Sequence, residues 1–375
     1  MNDDAFMQQA LRLARRGQGR VEPNPMVGCL IVRDGRVLGR GYHRRIGGPH
    51  AEIAALEDCR KQSQDARDAT VYVTLEPCCH QGRTPPCVDA LLDARPQRVV
   101  VAIEDPFDQV HGHGIESLRG AGIQVSVGPG REDARSLNAP YLKRLGTGLP
   151  WTIVKWAQSL DGRIATSSGD SRWISSEASR RNVHLLRARV DAVVVGIGTV
   201  IADDPTLTAR GVSRKRVARR VVVDPSLRLP PAGRLMETLA DAPLSIACGR
   251  DANAARAVKL ESAGVELIRL PSAPPRTEGA GRRLTLRPLL EHLASRHGAT
   301  NVLVEGGGRL TGGLFLEDLV DQVLTYVAPS IMGDAAAIPA VSGLAPDTVR
   351  DARRLQLAGV RRREGDVELD YRVVR

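Results

Sequence analysis

Two successive α/β domains are the architecture this sequence predicts, and three observations predict it. The chain has 375 residues, which is long for one domain and enough for two, each with its own core. Strand-like and helix-like patterns alternate along it, the mark of a layered α/β fold. The alternation breaks once, over 141–150 (YLKRLGTGLP), where two glycines and a closing proline interrupt it. The boundary is therefore placed there, giving domains of 1–146 and 147–375.

The elements follow in order. An acidic start at 1–4 leads into an amphipathic helix over 5–16, without the basic start or apolar centre of a signal peptide. Residues 27–32 and 37–41 read as a hairpin around Asp34-Gly35. A helix is expected over 50–59, a strand over 70–75, a loop, a helix over 87–93, and strands over 98–103 and 123–127. Beyond the boundary, strands are expected at 151–156, 192–196, 220–224, 244–247, 266–270, 301–305 and 322–327. Several of these are unbroken apolar runs, as in strands buried on both faces. The segment 271–285, rich in Pro, Gly and Arg, reads as a surface loop.

Composition narrows the function. With 42% hydrophobic and 26% charged residues, the chain reads as globular, and no apolar run is long enough for a membrane span. A cytoplasmic location is expected. Three of the six cysteines (Cys78, Cys79 and Cys87) crowd together while Cys29, Cys59 and Cys248 are scattered. Clustering of this kind favours metal binding or catalysis over a disulfide framework. The net charge is +10, but residues 1–148 carry 20 basic against 18 acidic side chains and the remainder 33 against 25. The cysteine-bearing domain is thus nearly neutral. With 3% aromatic residues there are few platforms for stacking bases, so no nucleic-acid partner is expected. The basic run Arg214, Lys215, Arg216, Arg219, Arg220 reads as a solvated loop.

The chemistry concentrates at His50-Ala51-Glu52 and Pro77-Cys78. A histidine two residues before a glutamate, then a Pro-Cys pair and a further cysteine, is the arrangement of zinc deaminases. Two thiolates and one imidazole fill three tetrahedral positions of zinc. The fourth position is left to a water, which zinc acidifies to a pKa of about 7. Glu52, at the start of a helix, is placed to take a proton from that water and hand it to the departing amine. The spacing departs from C-x-x-C, because position 81 is Gln81 and the next cysteine is Cys87. Cys79 adjoins Cys78, and neighbouring residues seldom reach one metal together. His80 remains an alternative ligand on chemistry alone.

The second half has its own motifs: Lys155-Trp156-Ala157, Ser159-Leu160-Asp161-Gly162-Arg163, Ser171-x-Trp173, Thr199, and Asp203-Asp204-Pro205-x-Leu207-Thr208-x-Arg210. Near the end a strand runs into Glu305-Gly306-Gly307-Gly308 and a helix containing Gly312-Gly313. A strand, a glycine run and a helix make a plausible phosphate cradle, although this is not the G-x-G-x-x-G fingerprint. Lys155 and Glu305 stand at strand ends and are expected to form an ion pair near a sugar.

Taken together, TLEPCCHQGRTPPC, PNPxVG, GYH, GxPH, EDP and the second-half motifs resemble the bifunctional riboflavin-biosynthesis deaminase/reductase family, over nearly the whole chain and most weakly over 225–300. The resemblance implies a cytidine-deaminase-like three-layer domain followed by a dihydrofolate-reductase-like domain. It implies zinc held by His50, Cys78 and Cys87, with Glu52 as proton shuttle, and NADPH in the second domain. It places NADPH against Ala157, Trp173, Thr199, Asp203 and the loop Gly307, Gly308, Arg309, Leu310, Thr311, Gly312, Gly313. It places substrate against Ser171, Arg187, Leu207, Arg210 and Glu305, with Asn24 contacting the nucleotide in the first domain; Arg83, in the loop 80–86, reads either as a contact to the substrate phosphate or as a solvated side chain. Arginine suits a phosphomonoester through its planar two-pronged donor. The implied substrate is a small phosphorylated pyrimidine, deaminated on the ring and then reduced from ribosyl to ribityl, in a homo-oligomer (dimer or tetramer). Two alternatives share the zinc chemistry: a tRNA base deaminase with an appended binding domain, and a non-catalytic zinc staple in which His80 closes the fourth position.

Overall fold

The computed structural model describes residues 2–81, 85–273 and 283–374, and the chain divides into two compact units, Met1–Thr147 and Gly148–Arg375. The first contains α1 (Asp3–Ala14), β1 (Gly28–Arg33), β2 (Arg36–Tyr42), α2 (Ala51–Lys61), β3 (Thr70–Val73), α3 (Cys87–Ala94), β4 (Arg98–Val101), α4 (His113–Gly120), β5 (Gln124–Val127), α5 (Arg131–Leu137) and α6 (Ala139–Thr147). Its sheet has the order β2-β1-β3-β4-β5; β1 pairs antiparallel with β2 and β3, and β3, β4 and β5 run parallel. Period-two alternation sorts the side chains. Cys29, Ile31, Val71, Val73, Val99 and Val101 face one core with Ala51, Ala55, Leu56, Val88, Leu91 and Leu118 of α2, α3 and α4. Leu30, Val32, Tyr72 and Val100 face the other, with Phe6, Met7, Leu11 and Ala134 of α1 and α5. The result is the three-layer α/β/α sandwich that the resemblance implied.

Two glycines decide how closely α2 sits on this sheet. A Cβ at Gly41 would collide with the Ala51 carbonyl, and one at Gly39 with the Ala55 carbonyl. Helix α2 therefore lies directly on the backbone of β2, which fixes its first turn.

The second unit contains β6 (Trp151–Gln158), β7 (Arg163–Ala165), α7 (Glu177–Arg187), β8 (Ala192–Gly196), α8 (Ile197–Asp203), β9 (Arg219–Val223), α9 (Arg234–Glu237), β10 (Leu244–Gly249), α10 (Ala254–Ser262), β11 (Glu266–Leu270), β12 (Ser272–Ala273), β13 (Arg283–Leu284), α11 (Arg287–His297), β14 (Asn301–Val304), α12 (Gly308–Leu316), β15 (Gln322–Val327), β16 (Ile338–Pro339), β17 (Leu355–Arg363) and β18 (Asp366–Val373). Nine strands form one sheet in the order β11-β10-β9-β8-β14-β6-β15-β18-β17. It is parallel from β11 to β15 and antiparallel across β15, β18 and β17. Val193, Val195, Val222 and Leu303 face a core closed by α7, α8 and α10, and Val194, Val221, Val302 and Val304 face one closed by α11 and α12. Burial on both faces accounts for the unbroken apolar runs.

Three expectations need correction, and one hairpin was not expected. Residues 139–147 are helical, not irregular: Pro140 sits in the first turn of α6, where its missing N–H costs nothing, and the break comes at Gly148, with φ +70°. The basic run is not a solvated loop. Arg216 pairs with Asp191, Arg219 with Glu266, and Arg220 is fully buried, donating to Thr238 and to the Thr206 and Ala242 carbonyls. Part of 271–285 pairs as β12 and β13, and 274–282 lies outside the described residues. The hairpin β17–β18 was not expected from sequence, because its outer strand is exposed along most of its length and carries no clean alternation. Among the described residues no helix is long and apolar enough to cross a membrane.

Candidate active sites

Three elements of the first unit converge on one point. His50 is the N-cap of α2, in extended conformation, so its ring projects off the helix start. Cys87 is the first residue of α3, after Pro86, and Cys78 follows β3. The His50 Nδ1 lies 3.4 Å from Cys78 Sγ and 3.3 Å from Cys87 Sγ, and the three ligand atoms lie within 4.8 Å of one another. With Zn–N near 2.0–2.1 Å and Zn–S near 2.3 Å, a tetrahedral site puts nitrogen and sulfur about 3.5 Å apart. The donor set and spacing fit zinc. The Cys87 amide donates to Cys78 Sγ at 3.3 Å, steadying the thiolate. Among the described residues no fourth protein ligand joins them. Cys79 turns its thiol to the Gln109 carbonyl and His80 lies edge-on to Phe107, so neither completes a closed structural site.

Electrostatics divide the roles. Hydrogen bonds from Cys87 and from His50 hold Cys78 down to about 4, against its desolvation, and the hydrogen bond that Cys87 gives to Cys78, with its own burial, pushes Cys87 upward. Glu52 is buried in the first turn of α2. Desolvation, with the Cys78 charge adding to it, pushes its carboxyl up to about 7; a dication at the ligand cluster acts in the opposite sense. Asn24 donates toward His43 Nε2 at 3.3 Å, His43 Nδ1 meets the Pro49 carbonyl, and the His43 and His50 rings meet edge to face at 5.4 Å. Asn24 thus stands one side chain away from the ligand cluster. Arg83 lies outside the described residues.

Sequence reasoning missed Glu76, although it sits in the quoted motif. Buried beside Pro77, its Oε1 accepts the Gly114 and Ile115 amides at 3.0 and 3.2 Å, and its Oε2 accepts those of Asp105 and Gly112 at 3.1 and 3.0 Å. One carboxylate caps α4 and holds the Asp105 turn, and both flank the Pro77-Cys78 segment. Asp105 in turn accepts the Tyr141 hydroxyl at 2.9 Å.

In the second unit, Glu305 directly follows β14 and its partner is Arg187 of α7, bidentate at 2.6 and 2.9 Å, both side chains nearly buried. The expected Lys155–Glu305 pair is therefore corrected. Among the described residues Lys155 has no ion-pair partner, and its Nζ lies 5.7 Å from the Tyr326 ring centre. Burial, with Arg187 adding to it, lowers its pKa against the pull of Glu305. Against its own desolvation, Arg187 holds Glu305 below the ordinary carboxylate value. Leu207, at φ +57°, has its side chain in the core. Arg210 is exposed, its amide bonded to His184 Nδ1. Trp173 is 71% exposed beneath the Arg180 guanidinium, and Ser171 precedes it in the same loop. Asp203 ends α8, with its carbonyl held by Arg172; Thr199 lies in α8, and Ala157 in β6. The glycines after Glu305 serve packing as well as access. A Cβ at Gly312 would strike the Ser342 carbonyl and one at Gly308 the Pro339 carbonyl, whereas Gly307, the N-cap of α12, faces open space. Arg309, Leu310, Thr311 and Gly313 belong to α12.

The sequence profile of the RibD C-terminal domain matches residues 150–369, and that of the zinc-binding region of cytidine and deoxycytidylate deaminases matches residues 1–103. The chain is 39% identical to the riboflavin biosynthesis protein RibD of Escherichia coli, over 98% of both chains. The chain belongs to the RibD family. It is also 40% identical to the RibD of Aquifex aeolicus, over 90% of this chain and 89% of that one. Acinetobacter baumannii RibD superposes with a TM-score of 0.84 at 36% identity, covering 100% of this chain and 99% of that one. The Thermotoga maritima diaminohydroxyphosphoribosylaminopyrimidine deaminase/5-amino-6-(5-phosphoribosylamino)uracil reductase gives 0.83 at 32%, covering 99% of each. As a RibD, this chain joins a deaminase domain to a reductase domain in riboflavin biosynthesis, with zinc and NADPH as cofactors. The reductase match across the second half leaves no appended nucleic-acid module, so the tRNA-deaminase alternative is set aside.

Proposed function

We propose that the first domain hydrolytically deaminates 2,5-diamino-6-(5-phosphoribosylamino)pyrimidin-4-one and that the second reduces the ribosyl side chain of the product to ribityl. The observation that carries this reading is the three-ligand cluster with a buried carboxylate beside it, within a chain that matches its relatives from end to end. His50, Cys78 and Cys87 would hold zinc, which supplies an acidified water as nucleophile. Glu52 takes the proton from that water and delivers it to the ring amino group as the C–N bond breaks, releasing ammonia. Asn24 holds the nucleotide end of the substrate.

In the second domain, Ala157, Trp173, Thr199, Asp203 and the segment Gly307–Gly313 would hold NADPH, which would supply hydride to the anomeric carbon of the sugar. The α12 N-terminus, open at Gly307, suits a phosphate. Arg210 is the exposed phosphate anchor, since Arg187 is engaged with Glu305 and orients it. Ser171, the Leu207 backbone and Glu305 hold the sugar. Lys155 is the proton donor to the sugar ring oxygen, which leaves the anomeric carbon as that carbon gains hydride, because burial disfavours the charged form of Lys155 and eases proton release.

The setting is a reducing cytoplasm, consistent with six free cysteines. A homo-oligomer is supported by the outermost strand of the sheet, β17, which exposes Leu355, Leu357 and Val360; light scattering should return a dimer or tetramer, and a monomer would count against it. The deciding experiment supplies the diamino substrate and NADPH to pure protein and follows ammonia and ribityl product. Glu52→Gln should cut ammonia release by about 10²–10⁴-fold with zinc retained. Undiminished ammonia release in that variant, or no NADPH oxidation with the deaminated product, would overturn the respective half.

A further inference from the structure

A second cluster of ligating side chains lies in the reductase unit, built from β11 and the end of α11. His292 Nε2 is 3.0 Å from Glu266 Oε1, and His297 Nε2 is 3.0 Å from both Glu266 oxygens. One nitrogen from each imidazole and one carboxylate oxygen lie within 4.8 Å of one another. We propose that Glu266, His292 and His297 form a second divalent-metal site, of the imidazole–carboxylate class that takes zinc, cobalt or nickel.

Three features support a metal beyond the bare cluster. First, metal–nitrogen and metal–oxygen bonds of about 2.0–2.2 Å put adjacent ligands about 2.9 Å apart in an octahedral site and about 3.4 Å apart in a tetrahedral one. Each imidazole stands 3.0 Å from the carboxylate, within that range, and one nitrogen of each imidazole lies within 4.8 Å of the other. Second, Glu266 Oε2 is already held by Ser245 Oγ at 2.7 Å and by Arg219 Nη1 at 3.0 Å, the kind of outer hydrogen bonding that orients a ligating carboxylate. Third, His297 is the last residue of α11, where unsatisfied helix carbonyls favour a cation. The Arg219 charge opposes binding, so this site fills after the His50–Cys78–Cys87 cluster. Its role is a clip: among the described residues β11 is the edge strand of the nine-stranded sheet and pairs only with β10, and the metal ties that edge to the neighbouring helix.

The test uses the full chain with its deaminase site already loaded with zinc, titrated with Co²⁺ and Zn²⁺ and followed by calorimetry, elemental analysis and visible absorption. The expected result is a second equivalent per chain. In the cobalt spectrum that equivalent shows no thiolate charge-transfer band, which separates it from the cysteine site. His292→Ala and His297→Ala should each abolish the second equivalent while keeping the first, the far-ultraviolet circular dichroism and ammonia release. Saturation at one equivalent would overturn the proposal and leave an ion-pair cluster. So would a second equivalent that survives both substitutions.

Discussion

Glu76→Gln tests whether a residue that touches no reacting atom governs the deaminase centre. The Glu76 carboxylate accepts four backbone amides, two on each oxygen, and is buried. Glutamine keeps the shape and one oxygen but places an NH₂ where the other oxygen stood. Whichever way the amide settles, two buried N–H groups lose their acceptor and face a donor. An unsatisfied buried donor costs about 1–3 kcal/mol, so the expected loss is about 2–6 kcal/mol, a large share of the 5–15 kcal/mol typical of a domain. There is little room for a rescuing shift, because a Cβ at Gly114 would strike the Pro77 carbonyl and the segment is already at contact. Urea unfolding of the first unit measures the stability term. Competition with a chromogenic chelator measures zinc affinity, expected to fall about tenfold, the low end for outer-shell partners. NADPH oxidation with the deaminated product should be unchanged and reports that the chain is folded. A stability loss below about 1 kcal/mol with zinc affinity intact would show that water replaces the carboxylate, and the clamp argument would be wrong.

The remaining predictions concern other links in the two units. Gly41→Ala forces α2 off β2 and moves His50 and Glu52 together; deaminase kcat/KM should fall about 10²-fold with reductase activity retained, and unaltered kinetics would show that the helix seat is not critical. Arg187→Met leaves the Glu305 carboxylate buried and unpaired, which should cost about 3–5 kcal/mol in chemical denaturation of the second unit; a change below 1 kcal/mol would mean the pair is replaceable. Asp161 accepts Ser159 Oγ and the Gly333 and Met332 amides, and these bonds hold its carboxyl at about 2, below the ordinary 3.8. A depressed carboxyl stabilises the fold above its unfolded value and loses that contribution as pH falls through the folded one. The stability gap between wild type and Asp161→Asn should therefore be full above about pH 4 and close towards pH 2, and a gap independent of pH would refute it.

The sequence by itself determined the layers and the metal chemistry. Alternating apolar residues such as Cys29, Leu30, Ile31 and Val32 can serve two cores only as a strand between helices, so the sandwich was legible without coordinates. The ligand types were equally legible, because His50, Glu52, Cys78 and Cys87 lie in short segments whose spacing is read directly along the chain. Partner choice was not legible, because it depends on which strands become neighbours. Sheet order places β14 between β8 and β6, and only that order shows Glu305 meeting Arg187 of the helix before β8 rather than Lys155 of β6. The same holds for the basic run: Arg220 reads as a solvated charge until β9 is seen in the middle of a sheet, where the Thr206, Thr238 and Ala242 oxygens receive its guanidinium. Glu76 is the clearest case. Its four donors come from residues 105 to 115, about thirty to forty positions further along the chain. Composition and spacing carry chemistry that is local, whereas the satisfaction of a buried charge is a property of the packed chain.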